Sequence, residues 1–194
     1  SQAFSFAAQE DQPEGLAFSP DGTKMFIIGR VGDDVNEFTL TTGFDVSTAS
    51  YTRNFSISAQ ETQPMGLAFN TDGTKMFVCG FDGDDVNEYA LTTGFNVSTA
   101  SFTDAFSVSG QDSTPYDIVF NTNGTKMFVV GGSGQNVNEY TLTTGFDVST
   151  ASFVDAFSVS AQDSNPAGIA FNADGTEMFI AGSINDKVFK YTLS

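Results

Sequence analysis

Residues 13–29 read PEGLAFSPDGTKMFIIG, and the pattern returns at 64–80 (PMGLAFNTDGTKMFVCG), 115–131 (PYDIVFNTNGTKMFVVG) and 166–182 (PAGIAFNADGTEMFIAG). The turn glycines Gly22, Gly73, Gly124 and Gly175 lie 51 residues apart, as do Phe4, Phe55, Phe106 and Phe157. No insertion or deletion disturbs the period. A fixed period of this length is the signature of a repeat architecture.

Each unit reads as four strands. Gly15–Phe18 is short and apolar, and Gly22 supplies the positive φ of a tight hairpin turn after it. Lys24–Gly29 is apolar on both faces, as an interior strand is. Val35–Leu40 alternates, and after a loop over Thr41–Ser50 the small polar alternation of Thr52–Ser58 suits an outer edge. No segment has helical periodicity. Four antiparallel strands in about 50 residues make a propeller blade.

The expected fold is therefore all-β, a β-propeller of four 51-residue, four-stranded blades. The sequence units are 1–51, 52–102, 103–153 and 154–194 of one domain. The first and last units lack only the counterpart of residues 42–51. That places an orphan fourth strand at Ala3–Ala7 and an incomplete blade at Val188–Leu193, so the first segment is expected to complete the last blade and close the ring. The Phe density suits wide wedges and favours four blades in one chain; an eight-bladed ring from two chains is the alternative. The chain opens at Ser1 without Met, and reads as a processed form or a piece of a longer protein.

The runs Pro13–Phe26 and Met65–Phe77 resemble the GxAxSPDGxxxxV core of YVTN-type and lactonase-like propeller repeats, and all four units carry it. The resemblance implies a fold more than an activity, since those families include enzymes, surface-layer proteins and scaffolds. Lactonase-like propellers hold a metal over the channel with Glu, Asn and Asp. Here Glu14 and Asp117 are the nonrepeated acids near the expected channel mouth.

Composition narrows the chemistry. The formal net charge is −17 with 7 Lys plus Arg, which disfavours a phosphate backbone or an anionic bilayer as partner. With no His and a single Cys, His-based triads, Cys–His dyads and His-containing zinc sites are excluded. Cys79 sits in an apolar run and reads as a small buried hydrophobe. No apolar span is long enough to insert in a membrane. Asp33-Asp34 and Asp84-Asp85 have the oxygens for Ca²⁺, but units three and four lack the pair, and solvated turn acids are the plainer reading; no cofactor is expected.

Comparing the four copies singles out two variable loops that strand direction puts on one face. One carries Glu14, Met65, Tyr116 and Ala167 after the proline, with Asp117 replacing a glycine of the other units. The other joins the second and third strands and carries Phe81. Recognition on a rigid scaffold uses such loops, although drift between duplicated copies leaves the same trace. Lys24, Lys75 and Lys126 recur with Glu37, Glu88 and Glu139, while Glu177 and Lys190 reverse both signs, so the two positions are expected to be neighbours.

These readings favour a non-enzymatic, extracellular binding or adhesion module of a bacterial or phage surface protein. It would use Glu14, Met65, Phe81, Tyr116, Asp117 and Ala167 on a glycan or other surface ligand, as monomer or homodimer. A metal-dependent lactonase-like hydrolase and a purely structural repeat body are the alternatives.

Overall fold

A computed structural model describes residues 2–193. The chain is all-β, with four blades of three or four antiparallel strands in propeller arrangement. The first blade is β1 (Pro13–Phe18), β2 (Lys24–Gly29), β3 (Asp34–Leu40) and β4 (Ala49–Ser56). The second is β5 (Pro64–Phe69), β6 (Lys75–Gly80), β7 (Asp85–Leu91) and β8 (Ala100–Ser107). The third is β9 (Pro115–Phe120), β10 (Lys126–Gly131), β11 (Asn136–Leu142) and β12 (Ala151–Ser158). The fourth has β13 (Pro166–Phe171), β14 (Glu177–Gly182) and β15 (Lys187–Thr192).

Each turn glycine has φ near +70°, a conformation that costs an L side chain energy. The loop expected at 41–50 is more ordered than its composition suggests. It holds a 3₁₀ turn, Val46–Thr48, capped by the Asp45 carboxylate, and β4 begins at Ala49 rather than 52. Phe44, Phe95 and Phe146 ahead of these turns also take positive φ, near +60°. Each is held there by a bond from its N–H to the carbonyl of the turn glycine, at 3.0 Å.

Blades pack through one repeated interface. Alternate residues of a strand face opposite neighbours, so β2 sends Phe26 and Ile28 towards the second blade and Met25 and Ile27 away from it. Phe26 meets Phe69 at 4.5 Å between ring centroids, and Phe95 closes the group at 5.5 Å from Phe69. Phe77, Phe120 and Phe146 repeat the arrangement one interface on.

The Lys–Glu positions are neighbours as expected, at 2.6–2.9 Å in all four blades. At the first two interfaces they are more than surface ion pairs. Glu37 is buried and accepts from the Val97 N–H at 3.1 Å, while Lys24 donates to the Phe95 carbonyl at 2.6 Å. Glu88 and Lys75 grip Val148 and Phe146 in the same way, at 2.9 and 2.6 Å. The first and second blades thus each clasp the 3₁₀ turn of the next.

The expected ring closure does not occur. The innermost strands pack in series, β1 on β5, β5 on β9 and β9 on β13, and no comparable contact joins β13 to β1 among the described residues. The N-terminal segment does not add a strand to β15, and the fourth sheet stays three-stranded. Instead Phe4 and Phe6 lie against the free face of the first blade, Phe4 meeting Phe38 at 5.4 Å. The physical reason is visible in the repeat itself. Phe55 packs on Tyr89 of the following blade at 5.7 Å, so a fourth strand is bound by the blade after it as well as by its own sheet.

Candidate functional site

The variable face is built by the starts of the innermost strands and by the loops between second and third strands. Those loops are anchored from below by one acid per unit. Glu10 accepts from the Gln12 N–H at 2.7 Å and from Val31 and Gly32 at 3.3 and 3.4 Å. Glu61, Asp112 and Asp163 hold the equivalent backbone, and all four are about 1% exposed. Opposite them, Gly29, Gly80, Gly131 and Gly182 leave the space that a Cβ would fill at 2.3–2.5 Å from the carboxylate or nearby carbonyl oxygens. These acids escaped the sequence reading. Their signal was present, an acid repeating at 51 residues and always three before the proline.

On this frame the expected residues meet in one row across three blades. Glu14 pairs with Arg30, Oε1 to Nε 2.8 Å. The Arg30 guanidinium also touches the Met65 sulfur at 3.3 Å and lies 5.4 Å from the Phe81 ring centroid, a cation–π distance. Phe81 in turn meets Tyr116 edge-to-face, at 5.2 Å and 82°. Tyr116 fits because Gly132 has no side chain: a Cβ there would stand 2.7 Å from the tyrosine ring. Four of the six expected residues, Glu14, Met65, Phe81 and Tyr116, are therefore connected. Arg30, which links them, was not singled out from the sequence, although it is the only cation in a variable loop of the first three units.

Asp117 and Ala167 are not in this row. Asp117 turns between the third and fourth blades, where its carboxylate accepts from Ile118 N–H at 2.8 Å and Ile169 N–H at 3.0 Å. Desolvation in that gap pushes its pKa up to about 6 despite the two bonds. It is a blade-joining residue rather than a polar group presented to a ligand, and it shares no partner with Glu14. Ala167 is half-buried beside Pro166 and brings no polar or aromatic group.

Of the paired turn acids, Asp34 is engaged, while Asp33 Oδ1 and Asp84 Oδ1 are buried without a hydrogen-bond partner among the described residues. Asp34 accepts from Asn36 Nδ2 at 2.5 Å and from Asn54, and burial raises its pKa. No group of three or more His, Cys, Asp or Glu side chains arranged for a metal occurs among the described residues. Cys79 is fully buried, and desolvation pushes its thiol far above the ordinary range. No helix among the described residues is long and apolar enough to cross a membrane. A cavity of about 1100 Å³ opens on the other face between the third and fourth blades, with Phe128 and Phe171 among its walls. It corresponds to the space filled by Phe95 and Phe146 at the earlier interfaces, so it is a packing feature of the repeat.

Comparison with known proteins bears on the fold. No family model matches the chain, and no curated protein matches it. Among solved structures, a protein of unknown function from Desulfotomaculum acetoxidans is 22% identical, with TM-score 0.66 over 94% of this chain and 55% of that one. A candidate 6-phosphogluconolactonase from Bacteroides fragilis is 14% identical, with TM-score 0.67 over 93% of this chain and 50% of its own. The Cps50 (Swd1) β-propeller domain of Myceliophteria thermophila is 9% identical, with TM-score 0.58 over 94% and 54%. These likenesses show the fold alone. The chain spans about half the length of the solved structures it matches.

Proposed function

We propose that this protein is a non-enzymatic binding module, and that the row Glu14–Arg30–Met65–Phe81–Tyr116 is its recognition surface. The observation that carries this reading is convergence: loops that differ between otherwise near-identical units meet, across three blades, in one connected ion-pair and aromatic cluster. Drift alone gives no reason for substitutions in separate units to become mutual contacts. An edge-to-face aromatic pair beside a guanidinium and a carboxylate offers ring faces for C–H-rich surfaces and charged groups for hydroxyls, the chemistry of carbohydrate recognition. A glycan on a cell or virion surface is the ligand class proposed, which accords with an acidic domain working outside the cytoplasm.

The lactonase-like alternative draws on fold neighbours only. Against it, Glu14 is already ion-paired to Arg30 and Asp117 serves the blade interface, so neither acid is free to hold a metal. A glycan array probed with the 194-residue chain tests the binding reading. Hits weakened at least tenfold by Tyr116→Ala and Phe81→Ala, with the fold intact by circular dichroism, support it. Hits that ignore both substitutions, or no hits at all, refute it.

A further inference from the structure

Beyond Tyr116 the row meets Asn165 of the fourth blade. The space above Gly132 is bordered on two sides: a Cβ there would stand 2.7 Å from the Tyr116 ring and 2.9 Å from Asn165 Oδ1. The tyrosine ring and the Asn165 amide therefore lie side by side where the third and fourth blades meet. Asn165 is half-buried and held by its own loops. Its Nδ2 donates to Ser183 Oγ at 2.6 Å, while the Ser183 N–H and hydroxyl both donate to the Asn165 carbonyl at 3.1 Å. Its backbone N–H is fixed on the Asp163 carboxylate at 2.8 Å.

A side-chain amide offers two N–H donors and an oxygen with two lone pairs. Ser183 takes one donor, and no described residue donates to Oδ1, so a donor and an acceptor remain on one fixed plane beside the ring. The equivalent side chains of the second and third units are engaged with their own loops. Gln63 Nε2 donates to Asp82 at 2.9 Å, and Thr114 Oγ1 bonds Asp112 and the Ser133 N–H at 3.2 and 2.8 Å. A donor and an acceptor on one plane match two adjacent hydroxyls of a sugar: one hydroxyl donates to Oδ1 and the next accepts from Nδ2. The aromatic face beside them suits the C–H surface of the same sugar ring.

Charge narrows the sugar further. Arg30, the one cation of the row, is already paired with Glu14 at 2.8 Å and is separated from Tyr116 by Phe81. Asp82, Asp84 and Asp85 follow Phe81 in its loop, and in the fourth loop Lys187 follows Asp186. With a chain charge of −17, an anionic sugar approaches against the field. Resting on the recognition row proposed above, we infer that Tyr116 and Asn165 form one subsite for a neutral sugar bearing two adjacent hydroxyls. Tyr116 is its stacking face and Asn165 sets its specificity. Sialylated, uronic-acid and sulfated glycans are rejected, because the subsite has no free cation to meet their charge.

A glycan array printed with neutral glycans and with their sialylated, uronic-acid and sulfated counterparts tests the inference. The chain should bind neutral members, with signals that added salt does not weaken. Asn165→Ala should lower those signals about tenfold, the worth of two hydrogen bonds between neutral groups. Asn165→Thr installs the residue type of Thr114, which the repeat already accepts, and one hydroxyl cannot span two, so it should lower them too with the fold intact by circular dichroism. Anionic glycans bound more tightly than their neutral counterparts, still through Tyr116 and Phe81, overturn the inference and leave the row standing. So do neutral hits that either Asn165 substitution leaves unchanged. Hits that ignore Tyr116→Ala and Phe81→Ala, or no hits at all, refute the row itself and the inference with it.

Discussion

Glu88 and Glu139 occupy the same place in successive units, and their replacement by alanine separates an inter-blade clasp from a surface ion pair. Each pairs with its lysine at similar range, 2.6 Å to Lys75 and 2.7 Å to Lys126. Glu88 is 5% exposed at its side chain and also accepts the Val148 N–H at 2.9 Å. Glu139 is 28% exposed and has no such backbone partner. A hydrogen bond to a charged group contributes about 1.5–3 kcal/mol, and a buried pair broken on one side costs about 3–5 kcal/mol. Lys75 keeps the Phe146 carbonyl after the change, which moderates the loss, so Glu88→Ala should cost about 2–4 kcal/mol. Glu139→Ala forfeits a largely solvated pair, about 0.2–1 kcal/mol. Urea unfolding followed by circular dichroism reads the difference. Equal destabilisation by the two substitutions would refute the clasp.

Asp117 gives a pH-dependent prediction. Its pKa is raised from 3.8 to about 6, so above pH 6 it is ionised in both folded and unfolded chains and its burial cost is fully present. Below about 3.8 it is protonated in both and the cost vanishes, so its contribution favours folding more as pH falls through that window. The gap corresponds to about 3 kcal/mol, and with weaker bonds from a neutral acceptor Asp117→Asn should gain about 1–2 kcal/mol at pH 7 and flatten the slope between pH 4 and 6. Urea midpoints across that range check it. Gly124→Ala and Gly175→Ala share a positive φ, but a Cβ at 124 would meet the Phe146 ring at 2.3 Å while one at 175 meets nothing within 4 Å. The first should therefore cost about 1–3 kcal/mol more than the second, read by thermal unfolding. Cys79 should stay unlabelled by a thiol reagent in the native chain and react at once in urea.

Much of the fold was legible because it is written four times. Lys24–Gly29 is a strand with the expected bounds, and the Lys–Glu positions proved adjacent because Glu177 and Lys190 change together. The closure of the ring was not legible. Periodicity fixes what each unit contains but not the angle between units, and the many Phe that suggested wide wedges sit instead in the compact groups Phe26–Phe69–Phe95 and Phe77–Phe120–Phe146. Of the candidate site, Glu14, Met65, Phe81 and Tyr116 were visible as departures from the repeat. Asp117 departed from it equally, but its side chain meets the Ile169 N–H of the next blade, a partner 52 residues away that no local pattern reveals. Arg30 was hidden by attention to acids and aromatics, and the loop anchors Glu10, Glu61, Asp112 and Asp163 by their very constancy.

Residue-resolved amide exchange in Glu37→Ala tests the serial order of the blades most directly. Glu37 belongs to the first unit, yet the N–H it holds is Val97 of the second. The account predicts that Val97 loses protection while Val46, in the same unit as Glu37, exchanges as before. Faster exchange at Val46 with Val97 unchanged would contradict it.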